Sequence, residues 1–108
     1  MKRNFLGALV LLTIAGLEAQ AYGVAVTQAL ARQTGRAVDF STVHTTLKRL
    51  QEKGFLTSTM GEATPQRGGR RKRLYRLTAP GYQALQQIQQ VRSRLWALIP
   101  GKLQLEGL

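Results

Sequence analysis

Residues 66–77, "QRGGRRKRLYRL", place six basic side chains, Arg67, Arg70, Arg71, Lys72, Arg73 and Arg76, in twelve positions. Such a run is a solvated charge stretch, a localisation-like "RRKR" address, or a shaped cationic surface. Its neighbours decide between them. Upstream, "FLTSTM" (55–60) is rich in β-forming residues, "KRLYRLT" (72–78) is a second such run, and a Gly/Pro/Thr loop from Gly61 to Gly69 separates the two. This is the pattern of a hairpin with a long tip. Alternation along the returning strand puts Arg71, Arg73 and Tyr75 on one face and Lys72, Leu74 and Arg76 on the other. Gly68-Gly69 has no side chain to hold the tip away from a partner's backbone.

Helical segments flank the hairpin. The first is expected from about Asn4 to Gly16, with Leu17 to Tyr22 turning the chain. The second runs from Tyr22 or Gly23 to Gln33, with Val26, Leu30 and Val24 facing inward and Gly35 as its stop. Arg36 to Phe40 is extended enough for a short strand. Ser41 is a suitable N-cap for a third helix, Thr42 to Lys53, which Gly54 ends. After the hairpin, Thr78 caps a fourth helix with Pro80 in its first turn, and this helix continues to about Leu98 before Pro100-Gly101. There is no internal repeat. The predicted fold class is mainly α with a small antiparallel β-hairpin: a winged helix-turn-helix plus a long C-terminal dimerisation helix. Residues 1–78 form the winged helix-turn-helix, 79–99 the long helix of the same domain, and 100–108 a tail.

Composition narrows the function classes. Sixteen Lys or Arg stand against five acids, a net charge of +11, in a chain that is 44% hydrophobic. So much apolar surface argues for a folded core rather than a disordered polycation. The charge excess suits a polyanionic partner, nucleic acid first and an anionic membrane surface second. The chain has no cysteine, which excludes disulfides and thiolate chemistry. His44 is the single histidine, and Glu18, Asp39, Glu52, Glu62 and Glu106 are scattered rather than paired. No acid–base pair, metal set or phosphate-cradling glycine motif emerges, so neither an enzyme nor a cofactor nor a metal is expected.

The N-terminal "MKRNFLGALVLLTIAGLEAQA" has two readings. Lys2-Arg3, the apolar run Phe5 to Leu17 and the Ala19-Gln20-Ala21 pattern fit a secretory signal cleaved after Ala21. The run covers 13 residues, too short to span a bilayer. Alternatively Phe5, Leu9, Val10, Leu12, Ile14 and Leu17 cover most of a helix circumference, as in a helix packed on several sides. The helical reading is favoured, because the remnant after cleavage would be short of apolar mass.

At 100° per residue, Val43, Leu47 and Leu50 share one side of the third helix and belong to the core. Ser41, Thr45, Lys48, Arg49 and Glu52 fall opposite, with Thr42 on the shoulder and His44 on a flank. Small hydroxyls at the start and long cations further along suit a helix that enters the major groove. His44 could contact DNA, pack against the second helix or bond locally. In the fourth helix, Ala84, Leu85, Ile88, Val91, Leu95, Leu98 and Ile99 form a stripe larger than a domain of this size can cover. Self-association through it into a homodimer is the economical outcome. Trp96 lies beside the stripe, where two helices could enclose a flat cavity.

Together these segments resemble the short form of the PadR family of bacterial transcriptional regulators. "AYGVAV" (21–26) is similar to that family's opening of the second helix, "STVHTTLKRLQEKGFL" (41–56) to its recognition helix, and "GGRRKRLYRLTAPG" (68–81) to its wing strand and the start of its last helix. The resemblance implies a cytoplasmic homodimeric repressor on double-stranded DNA, with no membrane role. It places the contacts on the third helix (Ser41, Thr42, His44, Thr45, Lys48, Arg49) and the wing (Arg67, Arg70, Arg71, Lys72, Arg73, Arg76). Dimerisation would use Leu85, Ile88, Val91, Leu95, Leu98 and Ile99. In some members an aromatic or drug-like molecule at the dimer interface releases DNA, which makes Trp96 a ligand candidate. The sequence departs from the family at His44-Thr45, where Tyr-Pro is frequent. The competing classes are a small basic RNA-binding protein, which would want more exposed aromatic residues for stacking, and a secreted cationic protein cleaved after Ala21.

Overall fold

The computed structural model describes residues 3–61 and 72–105. The elements run α1 (Arg3–Leu17), a 3-10 turn (Glu18–Gln20), α2 (Gly23–Thr34), α3 (Phe40–Glu52), β1 (Leu56–Met60), β2 (Arg73–Leu77), α4 (Ala79–Ala97) and a short α5 (Gly101–Leu105). Three helices, a hairpin and a long helix follow one another in the predicted order.

The apolar first segment is the central helix of the body. Leu6, Val10, Leu11 and Ile14 of α1 are buried in one cluster with Val26 and Leu30 of α2, Val43, Leu47 and Leu50 of α3, Leu56, Tyr75 and Leu85. An amphipathic stripe would serve a helix touched on one side. Because α1 meets α2, α3, α4 and β2, it needs a broad apolar face, but not a complete one: Phe5 and Leu12, expected to be covered, are exposed. The expectation for α2 holds at Val26 and Leu30, but Val24 is exposed and Ala29 takes the inward place. Gly35 closes α2 in the left-handed region at φ 68°, its N–H donating to the Ala31 carbonyl at 3.0 Å.

Two expectations around α3 are corrected. Residues 36–39 form no strand and lead straight into the helix. Its cap is Asp39, not Ser41: the Asp39 carboxylate accepts from the Ser41 N–H at 3.2 Å and from the Ser41 hydroxyl at 2.7 Å. Either residue could cap, and the carboxylate two positions earlier captures both Ser41 donors and draws Phe40 into the first turn. The segment that does extend the hairpin is Ala21–Tyr22. Tyr22 pairs with Leu74 in a single antiparallel bridge, and the Tyr75 N–H donates to the Ala21 carbonyl at 3.0 Å. Thus β2 is paired on both edges.

β1 and β2 pair antiparallel, Leu56 with Leu77, Ser58 with Tyr75 and Met60 with Arg73. These partners share the face carrying buried Leu56 and Tyr75, whereas Thr57 and Arg76 share the other. Thr78 caps α4 as expected: its hydroxyl accepts from the Gly81 N–H at 3.1 Å and donates to the Gly54 carbonyl at 2.7 Å. That second bond ties α4 to the turn after α3. The first half of α4 packs its apolar side chains on the body, and from the second half Arg92 reaches back over Phe5. Leu85 is buried, Ala84 and Ile88 are half-buried, and every residue from Val91 to Leu98 is exposed. Beyond Pro100-Gly101, expected to begin a tail, the chain makes the further turn α5. Among the described residues, no helix is long and apolar enough to cross a membrane.

Candidate nucleic-acid interface

The buried triad Val43, Leu47 and Leu50, joined by Thr46, fixes which side of α3 faces out. Thr46 is tolerated inside because its hydroxyl donates to the Thr42 carbonyl at 2.9 Å. The outward face then presents Ser41, Thr42, Thr45, Lys48 and Glu52, all exposed. Thr45 donates its hydroxyl proton to the Ser41 carbonyl at 2.9 Å, so toward solvent it offers a methyl group and acceptor lone pairs. Arg49 departs from this face. It is half-buried on the flank toward α1 and α4, lining a hollow with Gly7, Leu11, Lys53 and Ile88.

His44 stands on the opposite flank, stacked on Phe40 with ring centroids 6.1 Å apart and planes 22° from parallel. One helical turn separates the two residues, which is what lets the rings meet. Phe40, expected at the end of an extended stretch, instead opens α3, and this brings it to His44, a pairing not expected from the sequence. An aromatic four residues before the histidine was the available signal.

The wing's base lies on the same flank as His44. The Lys72 ammonium sits 4.7 Å above the Tyr22 ring, a cation–π contact that holds the start of β2 against the α2 junction. Arg73 extends toward α3: its Nη1 donates to Ser58 Oγ at 2.8 Å, and Ser58 Oγ donates to Gln51 Oε1 at 3.1 Å. Arg76 is on the other face of the hairpin, beside Ala15, Glu18 and Ala19. The structure therefore brings Lys72 and Arg73 next to α3 and leaves Arg76 away from it. Arg67, Arg70 and Arg71 lie outside the described residues.

The electrostatics follow from these contacts. Hydrogen bonds from the Ser41 side chain and backbone hold the Asp39 carboxyl below its ordinary value. Burial pushes the Tyr75 phenol up, opposed by the nearby Arg73 charge. Among the described residues, no group of three or more His, Asp or Glu is placed to hold a metal ion. An exposed polar helix face beside a cationic strand is suited to holding a polyanion by charge and reading its edges by hydrogen bonds.

Comparison with known proteins agrees with this architecture. Residues 11–87 match the profile of the transcriptional regulator PadR-like family. A PadR family transcriptional regulator from Eggerthella lenta superposes with a TM-score of 0.69 at 29% identity, over 94% of this chain and 85% of that one. A PadR family regulator from Clostridium difficile gives 0.67 at 25% identity, over 88% and 97%. A PadR-like regulator from Bacillus cereus gives 0.74 at 19% identity, over 94% and 93%, a likeness of fold. No curated protein matches the chain significantly. With a matching profile over most of its length and the winged helix-turn-helix in place, this chain belongs to the PadR-like family of transcriptional regulators, DNA-binding proteins rather than enzymes.

Proposed function

We propose that the chain is a sequence-specific, homodimeric repressor acting on double-stranded DNA in the cytoplasm. The observation that carries this reading is the exposed face of α3, with Ser41, Thr45 and Lys48 outward, lying beside the basic base of the wing. Ser41, Thr42, Thr45 and Lys48 read the major groove, with His44 and Arg49 at its two margins. Lys72 and Arg73, with Arg67, Arg70 and Arg71, neutralise the backbone, and Arg76 adds charge from the far face. Residues 1–78 form the reading head. Residues 79–99 form the dimerisation helix through Val91, Leu95, Leu98 and Ile99, with Ile88 at the edge and 100–108 as an appendage; Leu85, expected in that interface, is instead taken up by the protomer's own core. An aromatic ligand enclosed beside Trp96 at that interface would release the DNA.

Fluorescence anisotropy with the chain's own upstream region and with a scrambled duplex, across a salt series, tests this. The expected result is a preference of roughly 10³-fold or more for the upstream duplex, with a steep salt slope. Equal binding to both would remove sequence-specific recognition of that region. Absence of binding to either would remove the DNA reading.

A further inference from the structure

The first turn of α2, the Phe40–His44 pair and the base of the wing line a half-open cavity of ≈ 450 Å³. Besides the aliphatic Val24 and Ala25, its walls carry three kinds of side chain. Tyr22, Phe40 and His44 are aromatic, and Phe40 lies against the start of α2, where a Cβ on Gly23 would meet its ring in ordinary contact at 3.4 Å. Lys72 and Arg73 are cationic, and among the described residues no carboxylate lines the cavity. Gln20 and Gln28 add amides that both donate and accept.

We propose that this cavity binds a nucleoside monophosphate, its ring against Phe40 and His44 and its phosphate beside Lys72 and Arg73. The volume falls within the roughly 300–1,000 Å³ of small-molecule sites and far exceeds the needs of one phosphate group. Every nucleobase has a π-face that stacks on an aromatic side chain. Its ring edge carries donors and acceptors that the two glutamine amides can meet, and a phosphate beside two cations makes charge-assisted hydrogen bonds. A duplex offers this cavity its phosphates while its bases remain stacked inside the helix, leaving the aromatic wall and the amides unused. The combination therefore selects a free nucleotide. Its occupancy covers Lys72 and Arg73 and excludes duplex, a consequence that rests on the DNA reading above, whereas the binding itself does not.

Calorimetric titration of the full chain with AMP, adenosine and inorganic phosphate tests the assignment, with Val24→Trp to fill the cavity from an exposed position of α2. AMP should bind saturably, at least tenfold tighter than adenosine or phosphate, and at least tenfold weaker in Val24→Trp. Gln28→Glu, which sets a carboxylate in the lining, should show the same loss and serves if the tryptophan variant fails to fold. Phosphate binding as tightly as AMP, or AMP binding undiminished in a folded variant, would overturn the proposal. In anisotropy, AMP should displace duplex from the native chain at concentrations that leave duplex on Val24→Trp. Saturable AMP binding in a chain that ignores every duplex would support the cavity assignment and count against the DNA reading alone.

Discussion

Arg73 and Ser58 are joined diagonally across the hairpin, Nη1 to Oγ at 2.8 Å, and Ser58 passes the contact on to Gln51 of α3 at 3.1 Å. The wing is thereby tied to the helix proposed to read the groove, and a charge that could only repel its basic neighbours gains a neutral acceptor. Arginine has five donors, so this bond leaves others for a phosphate. Arg73→Ala should lower the salt slope of duplex binding by roughly 0.9, the value of one phosphate contact. Ser58→Ala keeps the charge and should lower affinity a few-fold with the slope unchanged. Equal slopes in the native chain and Arg73→Ala would confine this arginine to bridging β2 and α3.

Gly81 in the first turn of α4 lies against the turn after α3. A Cβ at this position would overlap the Phe55 carbonyl oxygen and approach Leu77 Cδ1 to 3.2 Å. The carbonyl has little room to yield, because it accepts from the Thr78 N–H at 3.1 Å. Gly81→Ala should therefore destabilise by about 1–3 kcal/mol, the usual cost of overpacking, despite alanine's better helix propensity. Gly16→Ala, in the last turn of α1 with nothing within 4 Å of its Cβ, should instead stabilise by up to about 1 kcal/mol. Urea unfolding at one fixed protein concentration compares them. A neutral Gly81→Ala would show that the α4 start slides freely on Phe55.

What the sequence disclosed, and what it withheld, follows from the range of the interactions. Val43, Leu47 and Leu50 declared their face of α3 by spacing alone, and Thr78 declared the α4 start by a bond to Gly81 three residues away. Local signals of this kind are written in the chain. Asp39 and Ser41 were both fit to cap α3, and only the folded turn shows the carboxylate holding both serine donors. The pairing of Tyr22 with Leu74 joins segments distant in sequence, and a single bridge leaves no alternating pattern to read. Arg49 fell on the outward side of an ideal helical wheel, yet the closeness of α1 and α4 makes that flank half-enclosed. The basic cluster was plain in the sequence, but the parting of Arg73 from Arg76 depends on where the hairpin packs.

The Asp39 cap gives stability a pH dependence whose sign is fixed. Its carboxyl titrates lower in the folded chain than in the unfolded one, because Ser41 bonds to the ionised form. The contribution is therefore fully present above the unfolded carboxylate pKa and is lost as pH falls through the lower folded value. Asp39→Asn caps comparably without titrating. Its stability should fall less steeply than the native chain's below about pH 4. Parallel acid limbs in urea unfolding of the two proteins would show that Asp39 contributes no such linkage.

The second half of α4 carries large apolar side chains into solvent, with Leu95 60%, Trp96 63% and Leu98 76% exposed. Arg92 leans back over the Phe5 ring at 5.5 Å, so the polar side of the helix is partly engaged with α1 while the apolar side is open. A second copy of α4 would cover it, and in a two-fold interface each residue counts twice. Burying one leucine is worth about 1.5–3 kcal/mol, so a charge at Leu95 should cost the dimer at least about 3 kcal/mol. Leu95→Glu should be a monomer in sedimentation at concentrations where the native chain is a dimer. It should keep its helical circular dichroism, since Leu95 lies outside the buried core. Binding to a two-half-site duplex should fall toward that of a single half-site, because two linked reading heads gain their affinity from one assembly. A native chain that sediments as a monomer would remove the dimer from the proposal, and a dimeric Leu95→Glu would move the interface elsewhere.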